Sequence, residues 1–266
     1  MQFVTGQGTI WYEVYGMGPS VVFLHSALSD HRQWTEQITL LSHHYQCITY
    51  DLPGHGLSDN VPGHDDPADT LMALLDYLQV DTATLVGSSL GGAISIHAAI
   101  HYPHRIRSIV LLGSGLFGYQ PELHIPEPSI YKEYEAALAT RDTEQLLNLA
   151  EAIWLIGLKG RKQDVSEDHR ELFRLMYRDF LNNHPEGFAS YLDIDDTHAV
   201  ENLTMPVMVV VGDHDTAFCW AVSDYLEQTL AQIITVRIPN AAHFPNLSKP
   251  QEITELLLGF LKKIYP

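Results

Sequence analysis

Thr84-Leu85-Val86-Gly87-Ser88-Ser89-Leu90-Gly91-Gly92 decides the fold, because it runs an apolar stretch straight into a serine flanked by glycines. Gly87 and Gly91 bracket Ser89 in a G-x-S-x-G pattern; without Cβ atoms there, a strand, a strained turn and a helix can crowd together while the hydroxyl stays exposed. Ser89 is therefore expected at a helix N-terminus, where unpaired amides and the helix dipole favour an attacking alkoxide and a developing oxyanion. Ser88 is the less favoured nucleophile. The five-residue pattern alone arises by chance in Gly/Ser-rich loops; the strand before it and the helix after it give this instance its meaning.

Outward from this stretch, short apolar runs alternate with amphipathic helices. Upstream, residues 9–15 and the run 20–25 read as strands, and a further strand at 46–50 leads into the turn-rich Asp51-Leu52-Pro53-Gly54-His55-Gly56. Asp66 as N-cap and Pro67 at the first helical position open a helix with Leu71, Leu74, Leu75 and Leu78 on one face. Downstream, Ala93 to Tyr102 is helical, Arg107 to Leu112 is a strand, and strands at 206–211 and 233–238 precede a closing helix carrying Ile253, Leu256, Leu257, Phe260, Leu261 and Ile264. This pattern predicts an α/β fold, a mainly parallel sheet covered on both faces.

The alternation stops near Leu116 and resumes at Met205. Between them lie helical patterns: Asp142 caps a run with Leu146, Leu147, Ala150, Ile153 and Trp154, and Ser166 caps one with Leu172, Phe173, Met176 and Phe180. The chain is thus expected to divide into a core, 1–116 and 201–266, and a helical cap, 117–200, inserted after the sixth strand. Such helices can be mere packing elements, but apolar faces this wide need something to cover, and a substrate cavity serves.

Composition excludes whole classes of partner. Fifteen basic against 33 acidic residues leave a net charge of -18, which disfavours nucleic acid, anionic membranes and polyanionic substrates. No basic segment followed by an apolar run opens the chain, and no apolar stretch is long enough to span a bilayer, so a cytoplasmic location is expected. Two cysteines, Cys47 and Cys219, fit a reducing compartment and are read as packing residues.

A serine hydroxyl needs an adjacent base, and the base needs a third group to hold its tautomer. His243 follows the last strand and is the base expected. Asp213 and Asp215, in Gly212-Asp213-His214-Asp215 after the preceding strand, compete for the third role. Other histidines have blander readings. His97 and His101 stand i, i+4 on a helix as zinc ligands can, yet have no glutamate in an H-E-x-x-H arrangement, and they read as packing or surface residues. His25 and His55 read as loop-holding residues, as does Asp51. Trp34, Phe117, Trp154, Leu158, Phe188 and Phe244 are candidates for an acyl pocket, weighed against ordinary core packing.

Together, Gly87-x-Ser89-x-Gly91, His25-Ser26, Asp51-Leu52-Pro53-Gly54-His55-Gly56-x-Ser58, Gly212-x-x-Asp215 and His243 resemble the α/β-hydrolase superfamily over nearly the whole chain. The resemblance implies the triad Ser89, His243 and Asp215, with Asp213 as the fallback acid, in the chain order serine, acid, histidine. It also implies an oxyanion hole made by the backbone amides of Ala27 and Leu90. Ser26 departs from the commoner glycine. His-Ser at this place and Asn-Ala-Ala-His around His243 look similar to 3-oxoadipate enol-lactonases and bacterial carboxylesterases, and Ser26 joins the pocket candidates. The implied activity is hydrolysis of a small or medium-sized carboxylic ester through an acyl-enzyme, with no metal and no organic cofactor. Lactonase or carbon–carbon hydrolase chemistry on the same triad is the alternative, and a small-molecule receptor with vestigial hydrolysis is the alternative of another class.

Overall fold

A computed structural model describes residues 1–5, 8–59, 66–123, 128–185, 191 and 193–266. Its eight strands, β1 (Gln2–Val4), β2 (Thr9–Tyr15), β3 (Ser20–Leu24), β4 (Gln46–Tyr50), β5 (Ala83–Ser88), β6 (Ile106–Leu112), β7 (Val207–Gly212) and β8 (Ile233–Ile238), form one sheet in the order β1-β2-β4-β3-β5-β6-β7-β8. Strand β2 runs antiparallel to its neighbours β1 and β4, and every pairing from β4 to β8 is parallel. The helices are α1 (Thr35–Leu41), α2 (Pro67–Tyr77), α3 (Leu90–His101), α4 (Ser129–Thr140), α5 (Thr143–Ala150), α6 (Glu167–Asn183), α7 (Ala217–Thr229), α8 (Pro245–Ser248) and α9 (Pro250–Ile264).

Strands β5 and β7 are buried at every position, which is why they read as unbroken apolar runs rather than alternating ones. Side chains still alternate between faces. Val22, Leu24, Leu85, Ile109 and Val209 pack with Leu71, Ile94 and Val222 of α2, α3 and α7. Val21, Phe23, Val86, Val110 and Met208 pack on the opposite face with Ile38 of α1 and Ile253 and Leu257 of α9. Asp66 caps α2 as its sequence predicts, its Oδ1 accepting the Ala68 amide at 2.8 Å.

Two elements of the core carry no signal strong enough to predict. β1 is three residues of exposed and half-buried side chains, and α1 is a seven-residue helix that buries Ile38 and Leu41 beside a polar Gln37. Between β6 and β7 lie α4, α5 and α6. The helix expected from Asp142 to Trp154 ends at Ala150 and widens into a π-helical turn, Glu151–Ile156. These helices share an apolar cluster of Leu147, Ala150, Leu155, Phe173, Met176 and Tyr177, and Phe244 and Leu247, from beyond β8, are part of it. Among the described residues, no helix is long and apolar enough to cross a membrane.

Candidate active site

The site begins with two glycines that admit no side chain. A Cβ on Gly91 would lie 2.3 Å from the Leu24 carbonyl oxygen, and one on Gly87 would lie 2.3 Å from that of Gly91. The start of α3 is thereby pressed against the ends of β3 and β5, and the residue between them has to turn sharply. Ser89 does so with φ 53° and ψ -112°, a conformation costing on the order of 1–3 kcal/mol that surrounding contacts must hold. Its amide donates to Leu112 O at 3.0 Å and its carbonyl accepts the amides of Ala93 and Gly115 at 3.0 and 3.1 Å. Ser88 is fully buried within β5, its hydroxyl without a hydrogen-bond partner, whereas Ser89 is partly exposed.

His243 comes to the same end of the sheet from beyond β8. Its Nδ1 lies 3.0 Å from Asp215 Oδ1, and that oxygen also accepts the Thr216 amide at 2.7 Å. The Asp215 carboxylate is fully buried. Asp213 is 43% exposed and lies 3.5 Å from His214 Nε2, and of the two competing acids Asp215 is the one in contact with His243. Burial opposes protonation of His243, but the charge and hydrogen bond of Asp215 together with the Cys219 contact hold the imidazole well above its ordinary pKa. Gly113, with φ +50°, makes room for the pair: a Cβ there would sit 2.8 Å from Asp215 Oδ2 and 2.9 Å from His243 Nδ1.

Cys219 belongs here too. Its sulfur lies 3.4 Å from both His243 Nδ1 and the Gly113 carbonyl oxygen, and burial, with the Asp215 charge adding to it, pushes the thiol pKa up. Its role as a packing residue in the sequence missed this contact. The available signal was its spacing, since Thr216 caps α7 and the Cys219 amide donates to the Thr216 hydroxyl one turn after the acid.

The two amides expected to bind an oxyanion approach from different elements. Leu90 is the first residue of α3, where a backbone N–H has no intrahelical acceptor. The neighbouring Gly91 amide donates to His25 O at 3.2 Å, seating the loop that carries Ala27 beside the helix start. Gln33 braces that loop through the Ser26 amide at 3.0 Å and the Ser29 hydroxyl at 2.6 Å. His25 accepts the Leu52 amide on Nε2 at 2.9 Å, which leaves its Nδ1 to donate to Ser26 O at 2.8 Å. Burial, with His25 adding to it, pushes His55 down to about 3, and its Nε2 contacts Ala27 O at 3.1 Å. Both rings are neutral struts.

A cavity of about 1070 Å³ opens onto Ser89, Asp215 and His243. Trp154 and Leu158 line it, as do Tyr131, Ile153, Phe218 and Trp220, which were not among the expected pocket residues. Glu122, Asp213 and Asp224 also face it, against Lys159 as the one lysine or arginine lining it among the described residues. The other pocket candidates among the described residues lie elsewhere. Trp34 is buried in the core, its ring centroid 5.4 Å from Phe23, because the short helical turn it ends packs beneath β3. Phe117 sits against His97 and Tyr191, and Phe244 is buried against Phe173 in the joint between the inserted helices and the segment after β8. Ser26 is 2% exposed and does not line the cavity. Phe188 lies outside the described residues.

The inserted helices meet the site directly. The His243 amide donates to Trp154 O at 2.9 Å, within the π-helical turn. Just beyond it Gly157, at φ +80°, approaches so closely that a Cβ would lie 2.7 Å from His214 O.

Residues 19–250 match the family model described as alpha/beta hydrolase fold, and the chain belongs to that family. It is 24% identical to 3-oxoadipate enol-lactonase 2 of Acinetobacter baylyi over 95% of this chain and 92% of that protein. To the pimeloyl-[acyl-carrier protein] methyl ester esterase of Aliivibrio fischeri it is 25% identical over 96% of this chain and 98% of that protein. A solved N-acyl homoserine lactone degrading enzyme superposes with a TM-score of 0.78 at 25% identity, covering 98% of this chain and 100% of that one. These relatives are esterases and lactonases, which makes a hydrolytic enzyme the class of protein the family supports.

Proposed function

We propose that the protein is a serine hydrolase cleaving an uncharged carboxylic ester of small or medium size. One observation carries this reading: the buried Asp215–His243 pair, at 3.0 Å, opens onto the same cavity as Ser89 on its strained turn. Asp215 accepts a hydrogen bond from His243 Nδ1–H, which keeps the proton on Nδ1 and leaves Nε2 as the base. His243 takes the Ser89 proton as Oγ attacks the ester carbonyl, and the Ala27 and Leu90 amides hold the oxyanion. The imidazolium then protonates the leaving alcohol, and water activated by the same base releases the acid and restores Ser89.

The lining supports the restriction to uncharged substrates. Glu122, Asp213 and Asp224 outnumber Lys159 on the cavity wall, and a net charge of -18 repels anions at longer range. Residues 117–200 act as the cap, and Trp154 and Leu158 set which acyl or alcohol groups fit. The test is steady-state hydrolysis of p-nitrophenyl esters of increasing acyl length, with a neutral lactone panel alongside. Multiple turnovers, lost by a factor of about 10⁴ or more in folded Ser89→Ala, are expected. A preference for lactones moves the substrate class and keeps the mechanism. Undiminished turnover in Ser89→Ala overturns both, and a single burst without turnover favours a receptor.

A further inference from the structure

The sequence leaves His97 and His101 without a ligating partner, and the fold supplies one. Asp196, 99 residues beyond His97, places its two carboxylate oxygens 3.1 and 2.9 Å from His97 Nδ1. His101, one turn along α3, lies with its ring centroid 4.3 Å from that of His97, the two rings tilted by 49°. One donor atom from each of the three residues falls within 4.8 Å of the others. We infer that His97, His101 and Asp196 form a binding site for a single transition-metal dication of the zinc type, remote from Ser89 and serving structure rather than chemistry.

Three features point to an ion rather than to a plain ion pair. Tetrahedral zinc with bonds near 2.0 Å separates its ligands by roughly 3.3 Å, so the His97–Asp196 spacing needs to widen only by a few tenths of an ångström. The second is the far side of the ring: buried His97 Nε2 lies 3.1 Å from Asp66 Oδ1 but makes no well-directed hydrogen bond. A histidine ligating through one nitrogen presents the other N–H to a carboxylate that fixes its tautomer, and Asp66 stands in that position. Asp66 is itself fixed, since it caps α2. Third, the donors divide between buried and exposed: His97 and Asp196 are 4% and 2% exposed, whereas His101 is exposed, so an ion held here keeps a side open to water.

Binding displaces the His97 Nδ1 proton to solvent and leaves the Nε2 proton facing Asp66. The consequence is mechanical. Helix α3 starts next to Ser89, and Asp196 lies on the stretch returning to β7, its amide donating to Phe117 O at 3.0 Å. An ion therefore ties the nucleophile's helix to the root of the inserted helices.

The test uses the full chain, stripped with EDTA and dialysed, titrated with Zn2+ by calorimetry and melted with and without the metal. One Zn2+ per chain is expected, with the melting temperature raised by about 5 °C at a hundredfold excess over Kd. His101→Ala, a change at an exposed position that leaves the fold intact, is expected to weaken binding at least tenfold, as is Asp196→Asn. Cys219→Ala is expected to retain binding, which separates this site from the Asp215, Cys219 and His243 donors. Co2+ bound in place of Zn2+ gives a d–d spectrum without a thiolate charge-transfer band. No measurable Zn2+ binding, or binding unchanged in His101→Ala or abolished by Cys219→Ala, overturns the assignment.

Discussion

The loops at the ends of the parallel strands and the helices between β6 and β7 meet at one cavity, yet they are built on different principles. On the strand side every critical atom is fixed by a close approach: Gly87, Gly91 and Gly113 all stand where a Cβ would collide with backbone or with the acid–histidine pair. On the helical side the cavity wall is made by shape, from Trp154, Leu158, Ile153 and Tyr131. It joins the core through the His243–Trp154 backbone hydrogen bond, the Gly157 contact, the apolar joint at Phe244 and Leu247, and polar contacts such as the Arg32–Asp179 ion pair at 2.7 Å and the His184 Nε2–Gly56 O contact at 3.2 Å. On the proposed reading the difference assigns reaction type and substrate choice to separate parts of this chain, and substitutions in the two parts are expected to have separable effects.

The largest expected effect breaks the strand side. Asp215→Asn is expected to lower kcat by about 10⁴-fold, whereas Asp213→Asn, at an exposed carboxylate that does not reach His243, is expected to change it less than threefold. The same pair shapes the pH profile. His243 must be neutral to accept a proton, and because Asp215 holds its pKa well up, the wild-type rate rises with pH through that raised value to a plateau. In Asp215→Asn the residual rate has its midpoint at lower pH. A midpoint unmoved by the substitution shows that another group controls the titration.

Next in size is the joint between the regions. Phe244→Ala removes a fully buried ring packed 5.0 Å from Phe173 and is expected to cost about 3–5 kcal/mol of stability in denaturant unfolding. Trp154→Ala, on the cavity wall, is expected to change KM and the acyl-length optimum instead, by about tenfold for a given ester. A Phe244 variant that alters substrate preference at full stability puts that ring back in the pocket. Gly113→Ala is a gentler change in chemistry, a single methyl, and is expected to cost about 10²-fold in kcat with KM little changed, because it displaces the acid and the base together.

How far the sequence went follows the same division. Strand β5 and the sharp turn at Ser89 were legible because steric necessity writes them as local patterns of glycine and apolar residues, and Asp215 and His243, picked out after successive strands, do come within 3.0 Å of each other. Asp51 was legible for the same reason: its carboxylate accepts the Leu57 amide at 2.8 Å and leaves no room for a side chain on Gly56. The cavity wall was not. Trp34, Phe117 and Phe244 resemble pocket residues in a list of aromatics, and only tertiary packing shows that they fill the core, the α3 flank and the joint. Lys159 and Trp220 face the site because of where the π-helical turn and α7 lie, which no local pattern encodes. His97 and His101 were visible as a pair, and Asp196 became their neighbour only through a contact spanning most of a hundred residues.

The central claim is that Ser89 is the nucleophile, and covalent labelling tests it most directly. An alkyl fluorophosphonate transfers its phosphonyl group to an activated serine with loss of fluoride, and peptide mass spectrometry locates the adduct. The account predicts one adduct per chain on Ser89, formed far more slowly in His243→Ala and absent in Ser89→Ala. Stoichiometric labelling of Ser88 or of any other hydroxyl, or turnover that survives complete modification of Ser89, contradicts it.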